Sequence, residues 1–423
     1  MKIGYLIGRY PTINHGYLLE EIRVLRSSGI EVEVEVASIN LPDRPDESLT
    51  AAERQARRST FYIKATPTWK AALILVKSAL YTPAGLLRGL RGAFHMAPRT
   101  LRGLLYHLFY FVEAVLLVDW MKRSEISHVH VSFCGTVGVI ATKLAPITMS
   151  LGVYGFGEVF DPIGTGLAVK VGASVFIRSV SRHLCSLLML SCPPSEWLKL
   201  EYAPLGIDPQ MFLPTRFRFD PVPFRMICVG RLSPEKGQRL LLTAADILKK
   251  GGADFVLHLV GDGPDRYALE REIAVGGLES SVILEGNADQ ERLLALYRSS
   301  DAFVFASLYE GIPMVLMEAM SMEIPCVAPR ITGIPELIHD GLNGLLFTAT
   351  DVDDLASCIL RLMQSSELRR SLGLRARECI TRNYSVMANT ERLAAIMRRH
   401  LAEREPQFAL SSTKSDHART AAN

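Results

Sequence analysis

The amino-acid sequence predicts an α/β protein built from two doubly wound, Rossmann-like domains that face each other across a cleft. The chain of 423 residues is long enough for two or three domains. Short apolar runs alternate with helical stretches, which is the pattern of parallel sheets covered on both faces. This alternation occurs twice, before and after a looser, proline-rich stretch at residues 201–214. Two domains of the same architecture are therefore expected.

The first alternation opens as strand, helix, strand. Residues 2–7 (KIGYLI) form a short apolar run, and residues 16–28 carry leucine and isoleucine at helical spacing. Residues 31–36 (EVEVEV) then alternate strictly, as a strand with one wetted face does. The later elements of the first half are predicted as strands at 128–133, 151–154 and 174–177 and helices at 101–121 and 181–190.

The second alternation follows the proline-rich stretch, so we predict a first domain at residues 1–205 and a second at residues 206–384. The polar tail at residues 404–423 is predicted to be disordered. The elements of the second domain are predicted as strands at 224–229, 255–260, 281–285, 301–305, 325–328 and 345–347 and helices at 238–250, 266–275, 290–298 and 313–322.

Composition excludes several classes of protein. Hydrophobic residues make up 48% of the chain and charged residues 22%, far from the balance of disordered chains. The net charge of +3 gives no electrostatic reason to expect a nucleic-acid partner. Seven cysteines without a Cys-x-x-Cys spacing indicate neither a disulfide framework nor a zinc site, and we expect no metal and no cofactor.

Positive charge is concentrated in one segment. Residues 54–112 contain ten lysines and arginines and no acidic residue, and frequent glycine and proline predict short helices there. A solvated face is the ordinary interpretation of such a run, but interleaved apolar residues also suit an interfacial helix on anionic lipid. We expect a cytoplasmic protein, without a helix long enough to span a membrane, that docks on the inner membrane face through Arg88, Arg91, Arg99 and Arg102.

The most informative motif lies at residues 307–337. Glu310 is followed directly by Gly311, and Glu318 comes eight positions after Glu310. Pro313 suits the first position of a helix, which puts Glu310 in the preceding loop and Glu318 inside the helix. The amides of Met314, Val315 and Leu316 are then expected to be unpaired at a helix end that attracts anions. This segment predicts a diphosphate cradle with a carboxylate on either side.

A pair of hydrolytic carboxylates is the competing interpretation of Glu310 and Glu318. A helix rises about 12 Å over eight residues, whereas the paired carboxylates of glycosidases lie about 5 to 9.5 Å apart. The spacing disfavours an acid and base pair. Acceptors for sugar hydroxyls fit it better.

Two further loops follow predicted strands. In VGRLSPEKG, Arg231 and Lys236 lie at the carboxyl end of a strand, where open α/β sheets bind ligands, and both are usual partners of a diphosphate. VGDGP contains Gly261 and Gly263 but is not a dinucleotide fingerprint, because Arg266 stands where a third glycine belongs.

The motifs VGRLSPEKG, VGDGP, EGIPMVLMEAM and GIPELI, in this order and spacing, resemble the retaining glycosyltransferases of family four, which have the GT-B fold. The resemblance covers residues 205–384 nearly completely. The opening of the chain is similar to transferases of exopolysaccharide or colanic-acid-type assembly. The resemblance also implies a closing helix at about residues 385–403 that crosses back to the first domain.

The resemblance implies roles for the charged residues. Arg231 and Lys236 would neutralise the donor diphosphate, and Glu310 would orient the donor sugar. Glu318 would receive the ribose hydroxyls, and Gly261, Gly263 and Gly311 would approach the donor through their backbone. The implied reaction is metal-independent transfer of a sugar, with retained configuration, from a nucleotide diphosphate to a growing glycan. A polyprenyl-linked acceptor is expected.

The first domain departs from the family pattern. Tyr154 stands where the family often has a histidine that touches the donor sugar; its hydroxyl can donate a hydrogen bond but is a poor base. Glu158 and Asp161 are candidates for an acceptor contact, and so are His15 and Gly16 ahead of the first helix. In the second domain, Glu323 occupies a turn where the family usually has glycine.

Two other functions stay open on the sequence. A nucleotide-sugar epimerase shares the two-domain architecture but would not be expected to carry this glutamate spacing. A catalytically silent nucleotide-binding scaffold of a glycan assembly complex is compatible with Tyr154. The sequence leaves the donor base, the sugar, the acceptor linkage and the oligomeric state undetermined.

Overall fold

Two parallel sheets confirm the predicted fold class. The computed structural model describes residues 1–12, 16–27, 30, 32–214 and 216–402, and within these residues it contains a seven-stranded and a six-stranded sheet. The first sheet comprises β1 (Lys2–Arg9), β2 (Glu33–Asn40), β3 (Thr60–Tyr62), β4 (His128–Ser132), β5 (Thr148–Val153), β6 (Ser174–Ser179) and β7 (Leu200–Tyr202). Their order is β3-β2-β1-β4-β5-β6-β7.

Helices cover the first sheet and connect its strands. Parallel strands require crossover connections, and most of these connections are helices. They are α1 (Gly16–Ser27), α2 (Ala51–Arg58), α3 (Thr68–Tyr81), α4 (Pro83–Met96), α5 (Leu101–Arg123), α6 (Gly135–Leu144), α7 (Phe156–Val159), α8 (Leu167–Ala173) and α9 (Arg182–Ser191).

The second sheet has the strand order β10-β9-β8-β11-β12-β13. Its strands are β8 (Phe224–Val229), β9 (Phe255–Val260), β10 (Val282–Gly286), β11 (Ala302–Val304), β12 (Cys326–Pro329) and β13 (Leu345–Phe347). Its helices are α10 (Gln238–Lys250), α11 (Arg266–Val275), α12 (Gln290–Ser299), α13 (Met314–Ser321), α14 (Ile334–Leu337), α15 (Val352–Gln364) and α16 (Ser366–Asn383). The last described helix is α17 (Val386–Ala402).

The two hydrophobic cores part close to the proline-rich stretch. Leu205 packs in the first core, and Ile207 packs in the second. The helix α17 then returns to the first domain, where Leu393 and Met397 are buried in its core beside α1. The amide of Asn389 donates to the carbonyl of Leu205 at 3.0 Å, so α17 also holds the start of the linker. The polar tail from residue 404 lies outside the described residues.

Two strands of the first sheet were not predicted from the sequence. Each of β3 and β7 has three residues and lies at an edge of the sheet. β3 falls inside the basic segment, where the composition predicted helices alone. Three residues are too few to show a periodicity, so only the neighbouring strand defines them.

The helix α5 corrects the expectation that no helix is long enough to span a membrane. Its 23 residues are long and apolar enough by length and composition. Its second half, from Phe111 to Met121, packs in the core of the first domain, whereas most of its first turns are exposed. Burial inside the protein therefore explains the apolar side chains of the second half of α5.

A buried ion pair fixes α1 against the sheet. The guanidinium of Arg178, at the end of β6, lies 2.6 Å from the carboxylate of Glu21 on α1, and both side chains are fully buried. The Nε of Arg178 also donates to the carbonyl of Ala203 at 2.9 Å. One cation thus joins α1, β6 and the beginning of the interdomain linker.

The two domains touch directly at the cleft. The carboxylate of Glu336 on α14 accepts hydrogen bonds from the amides of Arg182 and His183, each at 2.8 Å, at the start of α9. A carboxylate of the second domain therefore lies at a helix N-terminus of the first domain, where the partial positive charge of the helix end stabilises it. Gly311 faces the carbonyl of Tyr154 so closely that a Cβ would lie 2.6 Å from that oxygen.

Candidate functional site

The loop between β8 and α10 carries two of the predicted cations. Gly237 ends this loop with φ of 65°, and a Cβ there would lie 2.0 Å from the carbonyl oxygen of Ala306. Only glycine fits this combination of backbone angle and close approach. The amide of Leu308 donates to the carbonyl of Glu235 at 2.8 Å. The loop is thereby fastened to the chain that follows β11, which leads to Glu310.

This packing brings Lys236 and Glu310 together. The Nζ of Lys236 lies 2.5 Å from Oε1 of Glu310, and both side chains are mostly buried. The ammonium also lies 5.8 Å from the ring centre of Phe305, within the range of a cation–π contact. The amide of Glu310 donates to Oγ1 of Thr332 at 3.2 Å, which holds its loop in place.

Arg231 lies in the same loop but is more open to solvent. Its side chain is 62% exposed and lies 3.3 Å from the carboxylate of Glu235. The Oγ of Ser233 donates to that carboxylate at 2.7 Å, which lowers the pKa of Glu235. Among the described residues, the exposed guanidinium is held by this surface pair alone, so it can turn towards a ligand at small cost.

The helix α13 begins one residue later than predicted. Pro313 is the residue before the first turn, and Met314 is the first helical residue. The amide of Leu316 donates to the carbonyl of Pro313 at 3.2 Å, so the expectation that it is unpaired is wrong. Among the described residues, the amides of Met314 and Val315 have no hydrogen-bond partner. Two donors, rather than three, are available at this positive helix end.

Glu318 lies one turn into α13. Its carboxylate accepts a hydrogen bond from the hydroxyl of Tyr297 at 3.0 Å. Burial raises the pKa of Glu318 to about 7, against which that hydrogen bond acts. Met314 and Glu318 are four residues apart and therefore lie on one face of the helix. The carboxylate of Glu318 and the amide end of α13 therefore lie on the same side of the helix.

Gly261 and Gly263 line the neighbouring strand end. A Cβ on Gly261 would lie 2.1 Å from the carbonyl of Gly230, and one on Gly263 would lie 2.2 Å from the carbonyl of Leu232. Both glycines are thus required for packing against the loop of Arg231. They hold that loop in position.

Tyr154 does not present its hydroxyl to the cleft, which corrects the sequence-based expectation. The side chain is 8% exposed, and its hydroxyl lies 3.0 Å from Oγ of Ser132. Its ring stacks on Phe133 and lies over the guanidinium of Arg178. Burial raises the pKa of Tyr154 to about 12. The group of Tyr154 that faces the second domain is its carbonyl oxygen, opposite Gly311.

The remaining candidate residues of the first domain do not lie together in one site. Glu158 lines a cavity of about 460 Å³ together with Tyr17 and Tyr154. Asp161 turns into its own loop, where its carboxylate accepts from the amide of Gly164 at 2.8 Å. Gly16 is exposed at the start of α1, next to Tyr17. His15 lies outside the described residues.

The second domain also matches a known family. Residues 214–379 match the sequence profile described as glycosyl transferases group 1. This domain is a glycosyl transferases group 1 domain. The predicted site residues Arg231, Lys236, Glu310 and Glu318 all lie within the matched range.

Relatives of the group 1 domain include proteins of polysaccharide assembly. The chain is 33% identical over 220 residues to the amylovoran biosynthesis glycosyltransferase AmsK of Erwinia amylovora, covering 50% of this chain and 53% of AmsK. It is 24% identical over 439 residues to the glycosyltransferase WcaL of Escherichia coli K12, named for colanic acid biosynthesis, covering 94% and 99%. The first of these alignments thus spans about half the length of the relative.

Solved structures share the fold of both domains. The Anabaena protein HepE, solved with UDP, superposes with a TM-score of 0.69 at 17% identity over 94% of this chain and 100% of HepE. The sucrose-phosphate synthase of Thermosynechococcus elongatus gives a TM-score of 0.71 at 18% identity over 95% and 100%. At these identities the likeness is one of fold: two Rossmann-like domains in the GT-B arrangement.

Glu323 lies in the second domain, away from the cleft. Its backbone is left-handed, with φ of 61°, which is the reason why glycine suits the position. A Cβ on Gly373 would lie 2.1 Å from the carbonyl of Glu323, so the turn packs tightly on α16. Its side chain lines a separate cavity with Arg216 and Arg370.

Lys170, a charged residue of the first-domain cavity, was not predicted from the sequence. Lys170 on α8 is 9% exposed and lines the cavity with Glu158. The signal was a lone lysine inside the apolar stretch at residues 167–173 (LAVKVGA). Within the described part of the chain, no group of three histidine, cysteine or acidic side chains is arranged to hold a metal ion.

Proposed function

We propose that this protein is a retaining, metal-independent glycosyltransferase that moves a sugar from a nucleoside-diphosphate donor to a growing glycan. The observation that carries this proposal is the contact of Lys236 with Glu310, directly ahead of the α13 helix end. It joins one cation, one carboxylate and two free amides at the carboxyl edge of a parallel sheet, where such folds bind ligands.

The proposed donor site assigns one task to each group. The diphosphate is bound by Lys236, by Arg231 and by the amides of Met314 and Val315, which together stabilise the charge that develops on the leaving group. Lys236 exchanges its partner Glu310 for the diphosphate, and the released carboxylate then accepts hydrogen bonds from the donor sugar. Glu318 accepts hydrogen bonds from the ribose and, when ionised, is the stronger acceptor.

The proposed transfer needs no protein base beside the sugar. In retaining transfer of this kind the leaving diphosphate takes the proton of the acceptor hydroxyl on the same face. The buried hydroxyl of Tyr154, with its pKa raised to about 12, is unsuited to that task. Contact between the domains across Gly311 and Glu336 supports exclusion of water, so that transfer outcompetes hydrolysis.

We also propose exopolysaccharide or cell-envelope polysaccharide synthesis as the process and a lipid-linked glycan as the acceptor. The relatives AmsK and WcaL are named for amylovoran and colanic acid biosynthesis. An outward stripe of the first domain supports contact with a membrane. On α3, Trp69, Leu73, Val76 and Leu80 are exposed at helical spacing and share one face.

Positive charge accompanies this apolar stripe. Lys70 and Lys77 flank it on α3, and Arg88 and Arg91 are exposed on α4. The first turns of α5 add exposed apolar residues, including Leu101. Apolar side chains framed by cations, without acids, suit an anionic bilayer. We therefore propose that the protein works at the cytoplasmic face of the inner membrane.

The decisive experiment combines binding with turnover. Purified protein is screened by thermal shift against UDP, GDP, ADP and TDP, and the matching nucleotide sugars are then incubated with and without membrane extract. One nucleotide is expected to raise the melting temperature, and its sugar is expected to enter a lipid fraction. Isomerised sugar without acceptor would indicate the epimerase. Nucleotide stabilisation without any transfer would indicate the scaffold.

A further inference from the structure

The cavity on the first domain is lined by a largely buried lysine. The side chain of Lys170 is more than nine-tenths buried and extends over Gly135, where a Cβ would lie 2.8 Å from Cδ of Lys170. Among the described residues, its ammonium has neither a hydrogen-bond partner nor a carboxylate within 4 Å. A buried ammonium is costly to keep charged unless something neutralises it.

A helix end converges on the same space. α6 begins at Gly135, and its ten residues form a full N-terminus. The preceding Cys134 does not cap it, because its thiol donates to the carbonyls of Leu6 and Ser132. Within the residues described by the structure, the amides of Gly135 and Thr136 have no hydrogen-bond partner. Two free amides at a helix start carry partial positive charge.

Other titratable groups face this cavity. Glu158 also lines the cavity; burial raises the pKa of Glu158 and lowers the pKa of Lys170, and the opposite charges of the two residues act against both shifts. Tyr17 and Tyr154 also line the cavity, and the buried thiol of Cys134 lies nearby. The cation and the amides form a site for an anion, and the carboxyl of Glu158 is placed to meet a hydroxyl group.

The cavity belongs to the same cleft as the donor-side residues. Tyr154 lines it and also faces Gly311 through its carbonyl. Burial and the nearby carboxylates of Glu158 and Glu310, one from each domain, raise the pKa of Tyr309. A ligand in the cavity would therefore lie across the cleft from Glu310.

We propose that Lys170 and the first turn of α6 bind an anionic group of the acceptor, either a sugar carboxylate or a phosphate ester. Glu158 accepts hydrogen bonds from hydroxyls of the same sugar. The proposal rests on the proposed glycosyltransferase function, since it assigns this cavity to the acceptor. It makes the acceptor an acidic or phosphorylated glycan unit.

The test is a chemical-shift titration of the full chain with glucuronate, glucose 6-phosphate and glucose as probes. Lys170→Met is compared with Lys143→Met, an exposed lysine at the other end of α6. At least one acid is expected to bind more tightly than glucose, and Lys170→Met is expected to weaken it at least tenfold while Lys143→Met does not. The preferred acid distinguishes a carboxylate from a phosphate.

A second variant guards against a purely structural effect. Gly135→Ala keeps the ammonium but pushes its alkyl chain out of place, so it is expected to weaken the same acid. UDP or the nucleotide selected by thermal shift is titrated into every variant and is expected to bind unchanged. Equal binding of acids and glucose, or acid binding unaffected by Lys170→Met, would overturn the proposal. If the wild-type protein binds no nucleotide, this result would instead count against the proposed donor site.

Discussion

The ammonium of Lys236 lies 2.5 Å from the carboxylate of Glu310, although 74 positions separate the two residues. Their contact depends on Gly237, since any side chain there would collide with the carbonyl of Ala306. The pair keeps a cation and an acid mutually neutralised at the helix end until a charged ligand replaces one partner. This arrangement is the core of the proposed donor site.

Replacing either member of this pair should lower turnover. Lys236→Ala removes a charge from the leaving diphosphate, and Glu310→Ala removes a contact with the donor sugar; each is expected to lower turnover at least about tenfold, a barrier change of about 1.4 kcal/mol. Steady-state kinetics with the selected donor measures this. Lys250→Ala, which removes an exposed lysine of α10, is the control and should leave the rate unchanged. Near-normal rates in both test variants would exclude the mechanism.

The stability of the protein should depend on pH through Glu318. Its pKa is raised from 4.5 to about 7, so the folded state favours the neutral acid. The resulting stabilisation is complete below about pH 4.5 and is lost as pH rises through about 7. At about 1.4 kcal/mol per pKa unit, the loss amounts to at most about 3 to 4 kcal/mol.

Glu318→Gln isolates this contribution. The amide stays neutral, so the variant should keep its stability where the wild type loses it. Denaturant unfolding of both proteins between pH 5 and pH 9 should show the variant gaining about 1 to 3 kcal/mol over the wild type. Parallel pH profiles would show that Glu318 titrates at its ordinary pKa.

The buried pair of Arg178 and Glu21 should be strongly coupled. Glu21→Gln leaves the guanidinium without its counter-charge in the interior and is expected to cost about 3 to 5 kcal/mol. The double variant Glu21→Leu with Arg178→Met removes both charges and should cost less than the single change. Glu20→Gln, at the neighbouring surface pair with Arg23, should cost less than about 1 kcal/mol. Urea unfolding, followed at the transition of the first domain, measures the free energy of unfolding of all three variants. A double variant that loses as much stability as Glu21→Gln, or more, would show that the two charges are not coupled.

The interdomain contact of Glu336 should favour the closed cleft. Glu336→Ala removes the acceptor of the Arg182 and His183 amides. We expect a larger radius of gyration by small-angle X-ray scattering and a fall in kcat/KM of about fivefold, equivalent to about 1 kcal/mol. Glu367→Ala, in the first turn of α16, provides the matched change without an interdomain contact. An unchanged radius would mean that other contacts hold the domains together.

Membrane docking should require both the stripe and the charges. Serine at Trp69, Leu73, Val76 and Leu80 should abolish cosedimentation with vesicles containing phosphatidylglycerol. Glutamine at Arg88, Arg91, Arg99 and Arg102 should weaken that binding and remove its dependence on salt. Val275→Ser, at an apolar residue of the second domain that is 84% exposed, is the control. Cosedimentation that survives both sets of changes would exclude this surface.

Much of the second domain follows from local sequence. The predicted strands at 224–229, 255–260 and 345–347 coincide with β8, β9 and β13. Parallel strands that are covered on both faces are continuous apolar runs, and turn residues precede and follow them. The first and last residues of such strands can therefore be predicted from the local sequence. The short edge strands β3 and β7 lack such a signal.

Side-chain direction does not follow from local sequence. The position of Tyr154 was correctly placed at a strand end, but its hydroxyl turns to Ser132, because Arg178 and Phe133 offer its ring a better environment than the cleft. Leu316 pairs its amide because Pro313 lies before the helix instead of within it.

The sequence by itself determined the two α/β domains, the approximate boundary between them and the presence of Lys236, Glu310 and Glu318 at strand and helix ends. Periodicity and spacing are local properties, and they suffice for that. Only the tertiary structure decided that Lys236 meets Glu310, that Tyr154 faces inward and that Lys170 is buried beside a free helix end. Those outcomes depend on which segments, distant in the sequence, pack against one another. Close packing then restricts each side chain to the conformation that its neighbours allow.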